Sequence, residues 1–433
     1  MLDKQLDITK MAYGARGVSK QEGKVYFAEN CVPGDRILAD IIEDKGRFAH
    51  AMPKKWLEKS PLRNSSPCAF SGACGGCQWL DISLENQMAW KKEALASSLV
   101  RIGKLEENSF DIETWMHEGP SGPLESCFWR NRIRLRGSSG PNSKIDLFFL
   151  GKGSHKKVSI DQCKIAMPAI QSFLTAFLQE SKGLCFNHLT FQMEVTEIFG
   201  GWVLVTFYIK EKKPSLQIQK LIAFTKKLPK VAYAGIFDKK SAAPFFVMEK
   251  DLSLDFYIKP GQFYQVNLAG NRRLRRAVAE FADSALAKRV LDVYCGSGNL
   301  SLCLAKEGRK IMGVESNPVS IDAARYSAQK NKLGPHFNYE KGDATKKLAF
   351  LVKAKKSFDF MICDPPRSGL GKSFDLICQL EPKSLVFIGC EPNHFSRDLG
   401  RFIKKGYALQ RLVLADFFPG SFHFESIAFL QKS

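Results

Sequence analysis

Across 433 residues, 64 lysines and arginines outnumber 44 aspartates and glutamates, a net charge of +20. An excess of this size favours polyanionic partners, nucleic acid first and an acidic membrane surface second, and says nothing about fold. No apolar run approaches the ~18 residues that span a bilayer, and MLDKQLDITK (1–10) lacks an apolar segment behind a basic head, so neither a membrane protein nor a secreted one is expected.

A cytoplasmic location follows, where the twelve cysteines stay reduced and clustered ones serve as ligands or nucleophiles. Three blocks follow one another along the chain. In residues 1–60, short β-type stretches at 24–27, 36–42 and 48–51 alternate with turns such as Pro33-Gly34-Asp35. That rhythm predicts a small antiparallel β-barrel. The stretch KSPLRNSSP (59–67) reads as a linker.

The second block, residues 61–258, opens with Cys68, Cys74 and Cys77 in the pattern C-x5-C-G-G-C. Together with Cys163 they make a four-thiol set, whose spacing leaves zinc and an iron–sulfur cluster both open. Apolar residues at helical spacing predict a helix over 84–102, and the segment to about 110 is expected to pack on the third block. Residues 193–209 predict a hairpin around Gly200-Gly201. A lysine-rich stretch follows, with Lys210, Lys212, Lys213, Lys220, Lys226, Lys227, Lys230, Lys239 and Lys240. Part of it reads as a solvated face and part as surface for phosphates.

The third block, residues 259–433, alternates strands at 289–294, 310–315, 358–363 and 384–389 with helix-like segments. This predicts an α/β fold with a mainly parallel sheet and helices on both faces. Residues 407–414 and 422–430 predict a closing antiparallel pair. In RVLDVYCGSGN (289–299) a buried strand runs into Asp292 and then a turn with Gly296 and Gly298. Glu315 ends the next strand, where a carboxylate suits ribose hydroxyls. No Lys-Ser/Thr pair follows the turn, so it is not a P-loop. A ligand with a ribose and no need of phosphates fits, and S-adenosylmethionine fits better than NAD or ATP.

CDPPRSGL puts Asp364 at the carboxyl end of another strand, and SLVFIG ends in Cys390, so both should face one crevice. An acid followed by Pro-Pro at such a strand end is typical of methyltransferases that act on planar nitrogenous groups. The two prolines fix the backbone and remove two amide donors. A thiol there suits methylation of a pyrimidine carbon. Uracil C5 is a poor nucleophile until a thiolate adds at C6, and after methylation a base must take the C5 proton so that the thiol can leave. Glu425, in the aromatic-rich SFHFESIAFL, is the candidate base.

Six motifs occur in order: QFYQVN (262–267), DVYCGSGN, VESNP, CDPPRSGL, GCEPNHFSRDL and HFES. With them the chain, over nearly its whole length, resembles the uracil-C5 RNA methyltransferases of ribosomal and transfer RNA. The resemblance implies a Rossmann-like S-adenosylmethionine domain over 259–433. It implies cofactor contacts at Gln265, Tyr294, Asn299, Glu315, Asp343 and Asp364, with Cys390 as nucleophile and Glu425 as base. It also implies that block 1–60 is a TRAM domain, an RNA-binding barrel of the oligonucleotide-binding type. The mixed α+β block 61–258 would hold a [4Fe–4S] cluster on Cys68, Cys74, Cys77 and Cys163, structural or RNA-contacting in role. WRNRIRLR (129–136) resembles a basic motif of the family's central domain. Three positions depart from the family pattern: Gly389 where Ser is frequent, Trp129 where Tyr is usual, and Gln78-Trp79 where a histidine often stands nearby. Members with both a TRAM domain and a cluster most often modify large-subunit ribosomal RNA, which makes 23S RNA the expected substrate and transfer RNA the alternative. A DNA cytosine-C5 methyltransferase usually has Pro before its nucleophile, and here Gly389 stands there. A catalytically inactive RNA-binding assembly factor would not need Cys390, Asp364 and Glu425. No obligate protein partner is expected.

Overall fold

The computed structural model describes residues 3–118, 126–152, 156–209, 214–237, 243–306 and 308–433. Lys210, Lys212, Lys213, Lys239 and Lys240 of the lysine-rich stretch lie outside these residues.

The chain opens with six strands: β1 (Asp3–Asp7), β2 (Lys10–Ala12), β3 (Arg16–Gln21), β4 (Lys24–Glu29), β5 (Arg36–Asp44) and β6 (Phe48–Glu58). Their order in the sheet is β1-β5-β6-β4-β3-β2. Strand alternation sends Tyr26, Ala28, Ile37, Ala39, Ala49 and Ala51 into a small core. The expected antiparallel barrel needs two corrections. Strands β4 and β6 run parallel, with Val25 opposite Phe48, and the end strands β1 and β2 do not pair with each other among the described residues. The chain leaves β4 through Pro33-Gly34-Asp35 and forms β5 two places away, so the β5–β6 hairpin returns β6 to lie along β4. Alternation has period 2 in both kinds of pairing and cannot distinguish them.

Helix α1 (Leu84–Arg101) starts on Ser83, whose hydroxyl accepts the Asn86 amide. The short strand β7 (Glu113–Trp115) follows. Next come β8 (Arg132–Ser138), β9 (Asp146–Leu150), β10 (Lys157–Ser159), α2 (Pro168–Glu180), β11 (Thr190–Ile198), β12 (Trp202–Tyr208), α3 (Leu216–Thr225) and β13 (Val231–Ile236). These strands form a second sheet, ordered β10-β9-β8-β11-β12-β13, covered by α2 and α3. The β11–β12 hairpin turns at Gly200 and Gly201, both at positive φ. A small hairpin, β14 (Phe246–Asp251) and β15 (Leu254–Ile258), leads into the last block.

That block runs α4 (Leu268–Ser284), β16 (Arg289–Val293), β17 (Lys310–Glu315), α5 (Pro318–Lys330), β18 (Phe337–Lys341), α6 (Ala344–Lys353), β19 (Phe360–Cys363), α7 (Ser373–Leu380), β20 (Ser384–Gly389), α8 (Pro392–Lys404), β21 (Tyr407–Ala415) and β22 (Glu425–Lys432). Eight strands lie in the order β18-β17-β16-β19-β20-β22-β21-β7. The first five are parallel, and β22 and β21 close the sheet antiparallel. The eighth strand comes from the other half of the chain: β7 pairs in parallel with β21. Helix α1 comes with it and packs on α8 so closely that a Cβ on Gly400 would meet the Gly103 carbonyl. Among the described residues no helix is long and apolar enough to cross a membrane.

Candidate active site

The carboxyl ends of the parallel strands open into a cavity of about 1220 Å³. All twelve residues singled out from the sequence line it: Gln265, Tyr294, Asn299, Glu315, Asp343, Asp364, Cys390, Glu425, Cys68, Cys74, Cys77 and Cys163.

Register brings Cys390 and Glu425 together. Strand β20 pairs antiparallel with β22, with Gly389 opposite Ser426. The next position on each strand is Cys390 and Glu425, so thiol and carboxyl meet at one sheet end. Asp364 follows β19 on the adjacent strand. Gly389 also has a local reason. A Cβ there would lie 3.1 Å from the Phe395 ring, which stacks on Phe387 with centroids 5.0 Å apart. A serine would need the Phe395 ring to give by a few tenths of an ångström.

Burial in this corner disfavours the charged forms of its groups. Burial raises the Glu425 carboxyl well above the usual carboxylate range, and neighbouring Asp364 adds to the shift while Arg367 opposes it. Its Oε2 has no hydrogen-bond partner among the described residues. Asp364, open to the cavity but walled by protein, is pushed up to about 6 by desolvation. The Cys390 thiol is pushed up to about 11, by burial first and then by Glu425 and Asp364, with Arg367 pulling the other way.

On the other side of the crevice, β16 ends in a tight turn. Tyr294 takes a positive φ of 68°, and its amide donates to the Val314 carbonyl at 2.9 Å. Gly298 must be glycine, since a Cβ would stand 2.8 Å from the Tyr339 hydroxyl. Glu315 accepts the Gly296 amide at 3.2 Å and the Asn317 amide at 2.7 Å, which ties the turn to β17. Asn299 exchanges side-chain amides with Asn271 at 2.7 and 3.0 Å and accepts from the buried Arg275 at 3.0 Å. Tyr294 donates to Ser373 at 2.9 Å, and Asp343 caps α6. Buried Asp292 has an Oδ2 with no partner among the described residues, and desolvation raises its pKa to about 7. An orphaned buried acceptor beside a carboxylate at a strand end is what a ribose-bearing ligand would complete.

The four thiols gather at the far end of the cavity. Gly75 docks its loop on β9, donating to the Leu150 carbonyl at 3.1 Å, and a Cβ there would meet the Lys152 amide at 2.9 Å. Burial, reinforced by the neighbouring thiols, raises Cys77, while Cys163 is raised to about 11. Among the described residues no three His, Cys, Asp or Glu side chains are grouped as for a single metal ion.

Residues 128–433 match the tRNA (uracil-5-)-methyltransferase family. The chain belongs to the uracil-C5 RNA methyltransferase family. Its match spans β8 to β22, with Asp364, Cys390 and Glu425, and leaves out strand β7 of the last sheet. Among similar proteins, a 23S rRNA (uracil(1939)-C(5))-methyltransferase of Haemophilus influenzae is 29% identical over 97% of this chain and 94% of its own. An uncharacterized RNA methyltransferase of Aquifex aeolicus is 29% identical over 100% of this chain and 99% of its own. The solved structure of the Pyrococcus abyssi tRNA (uracil-54, C5)-methyltransferase in complex with S-adenosyl-L-homocysteine shares the fold. It has a TM-score of 0.72 at 23% identity, over 98% of this chain and 99% of that one.

Four residues of the site carried no assignment from sequence. Asp292 and Arg367 stood inside recognised motifs; burial and an unpaired oxygen single out Asp292, and electrostatic reach of Cys390 and Glu425 singles out Arg367. His423 lines the cavity two residues before Glu425, held neutral by burial and nearby cations with its pKa lowered to about 4. Tyr13 comes from the turn between β2 and β3, and nothing in its local sequence marks it. Its ring packs edge-on against Phe422 and Phe424 at 5.4 and 5.9 Å, within electrostatic reach of Cys390 and Glu425. The first block thus forms part of the wall behind the reacting corner.

Proposed function

We propose that this protein methylates C5 of an unpaired uridine in RNA, through a covalent adduct between Cys390 and C6 of the base. The pairing of Cys390 with Glu425 by strand register, in one cavity with the cofactor turn, carries this reading. Bound S-adenosylmethionine supplies an electrophilic methyl group. Gln265, Tyr294, Asn299, Glu315, Asp343 and Asp364 are the residues that would hold it, and the open acceptor of Asp292 fits the same ligand.

Cys390 loses its proton to solvent, and the thiolate Sγ bonds to C6 while the C5–C6 double-bond pair becomes an enolate. C5 of that enolate takes up the methyl group. Glu425 then removes the hydrogen left on C5, the double bond re-forms, and Sγ departs with its electron pair. A carboxylate that burial makes more basic suits this last step. Arg367, beside both groups, stabilises negative charge as it passes between them. The target base must leave its stack to reach Cys390, which favours loops and single strands.

For the substrate we favour large-subunit ribosomal RNA. The support is that relatives named as 23S rRNA methyltransferases align over almost the full chain. Transfer RNA is the second reading, favoured by the family description and by the archaeal relative's fold. Cells lacking the gene should lose 5-methyluridine at one position of 23S RNA by mass mapping and keep it in transfer RNA. The reverse pattern would transfer the assignment to the second reading.

We further propose that Cys68, Cys74, Cys77 and Cys163 hold a [4Fe–4S] cluster in a structural or RNA-contacting role. The support is that all four thiols line one cavity and that Cys77 lies within electrostatic reach of the other three. We read residues 1–60, 61–258 and 259–433 as the RNA-binding, cluster-bearing and methyltransferase units, with α1 and β7 belonging structurally to the third.

A further inference from the structure

Outward positions on a half-buried sheet are ordinarily polar. The N-terminal sheet departs from this at three adjacent places. On its outer face Phe27, Phe48 and His50 pack together, with ring centroids 6.0 Å apart for Phe27–Phe48 and 5.7 Å for each ring to His50. Pairing explains the cluster: Phe27 lies opposite His50, and Phe48 lies opposite Val25 one outward step away. Phe48 remains 37% exposed. Val18 lies opposite Phe27 on β3 and widens the apolar surface.

Cations border this patch. Lys20 is opposite Val25 and Lys10 opposite Val18. Arg47 precedes Phe48, and its carbonyl accepts the Val25 amide. Among the described residues Lys10, Lys20 and Arg47 form no ion pair, whereas the acids nearby are already matched, Asp44 to Lys24 and Glu43 to Lys45. Phe27 and His50 lie within 32° of one plane and Phe48 stands nearly perpendicular to both, so the cluster offers exposed ring faces with free cations at its edge, which suits a stacked base and its phosphates.

The patch also leads to the cavity. The next outward residue after Phe27 on β4 is Glu29, paired with Arg16 at 2.9 Å and Lys152 at 2.7 Å. Lys152 follows Gly151, which bridges to Cys74 in the cysteine loop, and Cys74 lines the cavity. Arg130, Arg132 and Arg134 line the cavity beyond it.

We infer that Phe27, Phe48 and His50 form a stacking platform for an unpaired base of the RNA, distant in the strand from the uridine held near Cys390. The inference rests on the RNA reading given above. It is tested with fluorescein-labelled single-stranded RNAs of one sequence, one of roughly 20 nucleotides and one of roughly six, the short one filling only the cavity. In the protein Phe27→Leu/Phe48→Leu, leucine keeps apolar bulk and removes the π faces. Affinity for the long RNA should fall roughly tenfold, and affinity for the short one should not change. The slope of log affinity against log salt should stay as in wild type, whereas Lys10→Ala/Lys20→Ala should make it shallower by about 0.7 per lost contact. Unchanged binding of the long RNA by the leucine variant, or equal loss on both RNAs, overturns the platform. A changed slope in the leucine variant also overturns it, because that reports lost phosphate contacts. Wild-type protein that binds neither RNA refutes the RNA reading itself.

Discussion

Cys390 and Glu425 sit at opposite ends of one reaction, so their variants should fail differently. Cys390→Ala should bind RNA and form neither adduct nor 5-methyluridine. Glu425→Gln should methylate and then stall, leaving RNA attached to Cys390 as a slow-migrating band on a denaturing gel that carries the cofactor's methyl label. If Cys390→Ala still makes 5-methyluridine, the nucleophile is assigned wrongly. The acid–base setting gives a second expectation. With its pKa pushed up to about 11, the Cys390 thiol is protonated at neutral pH. The reactive thiolate is then the minor form, and its fraction grows with pH up to the thiol's pKa. Adduct formation on 5-fluorouridine RNA, where fluorine blocks the final elimination, should accelerate by about tenfold per pH unit through neutrality. A flat profile between mildly acidic and mildly alkaline pH would mean that bound substrate or another group sets the thiol's ionisation. At this scale the sequence was informative where chemistry leaves a motif, as with Cys390, Glu315 and Asp364. His423 stood unassigned inside the HFES motif, and nothing marked Tyr13, whose relevance comes from elements meeting in space.

Between elements, the link that joins α1 to the loop after β21 stands out. Lys91, fully buried, donates to Asp416 at 2.7 Å. Burial pushes the Lys91 ammonium down and Asp416 pulls it back up. Gln87, one turn earlier, accepts the Gly420 amide at 2.8 Å. Together they fix the approach to β22 and therefore the position of Glu425. Lys91→Met leaves Asp416 buried without its partner and should cost about 3–5 kcal/mol of stability in denaturant unfolding. Lys91→Met/Asp416→Leu should recover much of that loss, because an apolar pair of similar volume avoids desolvating charge. A double variant no better than the single would show that the loop depends on the ion pair itself. The periodicity of 84–102 made α1 legible, and continuous apolar runs made β16, β17, β19 and β20 legible. Strand β7 has three residues, too few for a period to register, and β18 (FNYEK) lacks the continuous apolar run of its neighbours; each pairs with a single strand at a sheet edge.

For the molecule as a whole, the loop of residues 68–77 and Cys163 meet at the cavity end, with the loop bridged to β9. Protein purified without oxygen should be brown with about four irons per chain. Colourless protein with one tightly bound zinc would reject the cluster. Cys163→Ser should lower the iron content and the thermal midpoint together. The α/β class of the last block was readable from the alternation of elements. The parallel β4–β6 pair and the shared eight-stranded sheet were not, because both depend on which strands become neighbours.

That shared sheet has a consequence in time. Helix α1 and strand β7 are synthesised early, yet α8, β21 and Asp416 lie near the other end, 325 residues after Lys91 in the case of its ion-pair partner. At ribosomal speeds of 5–20 residues per second, their partners emerge roughly 15–60 s later. Through that interval the apolar side of α1, with Leu95 and Leu99, waits without the surface it will cover. The nascent chain must therefore keep this segment from other contacts until β21 and Asp416 have emerged, and only then can β7 join the methyltransferase sheet.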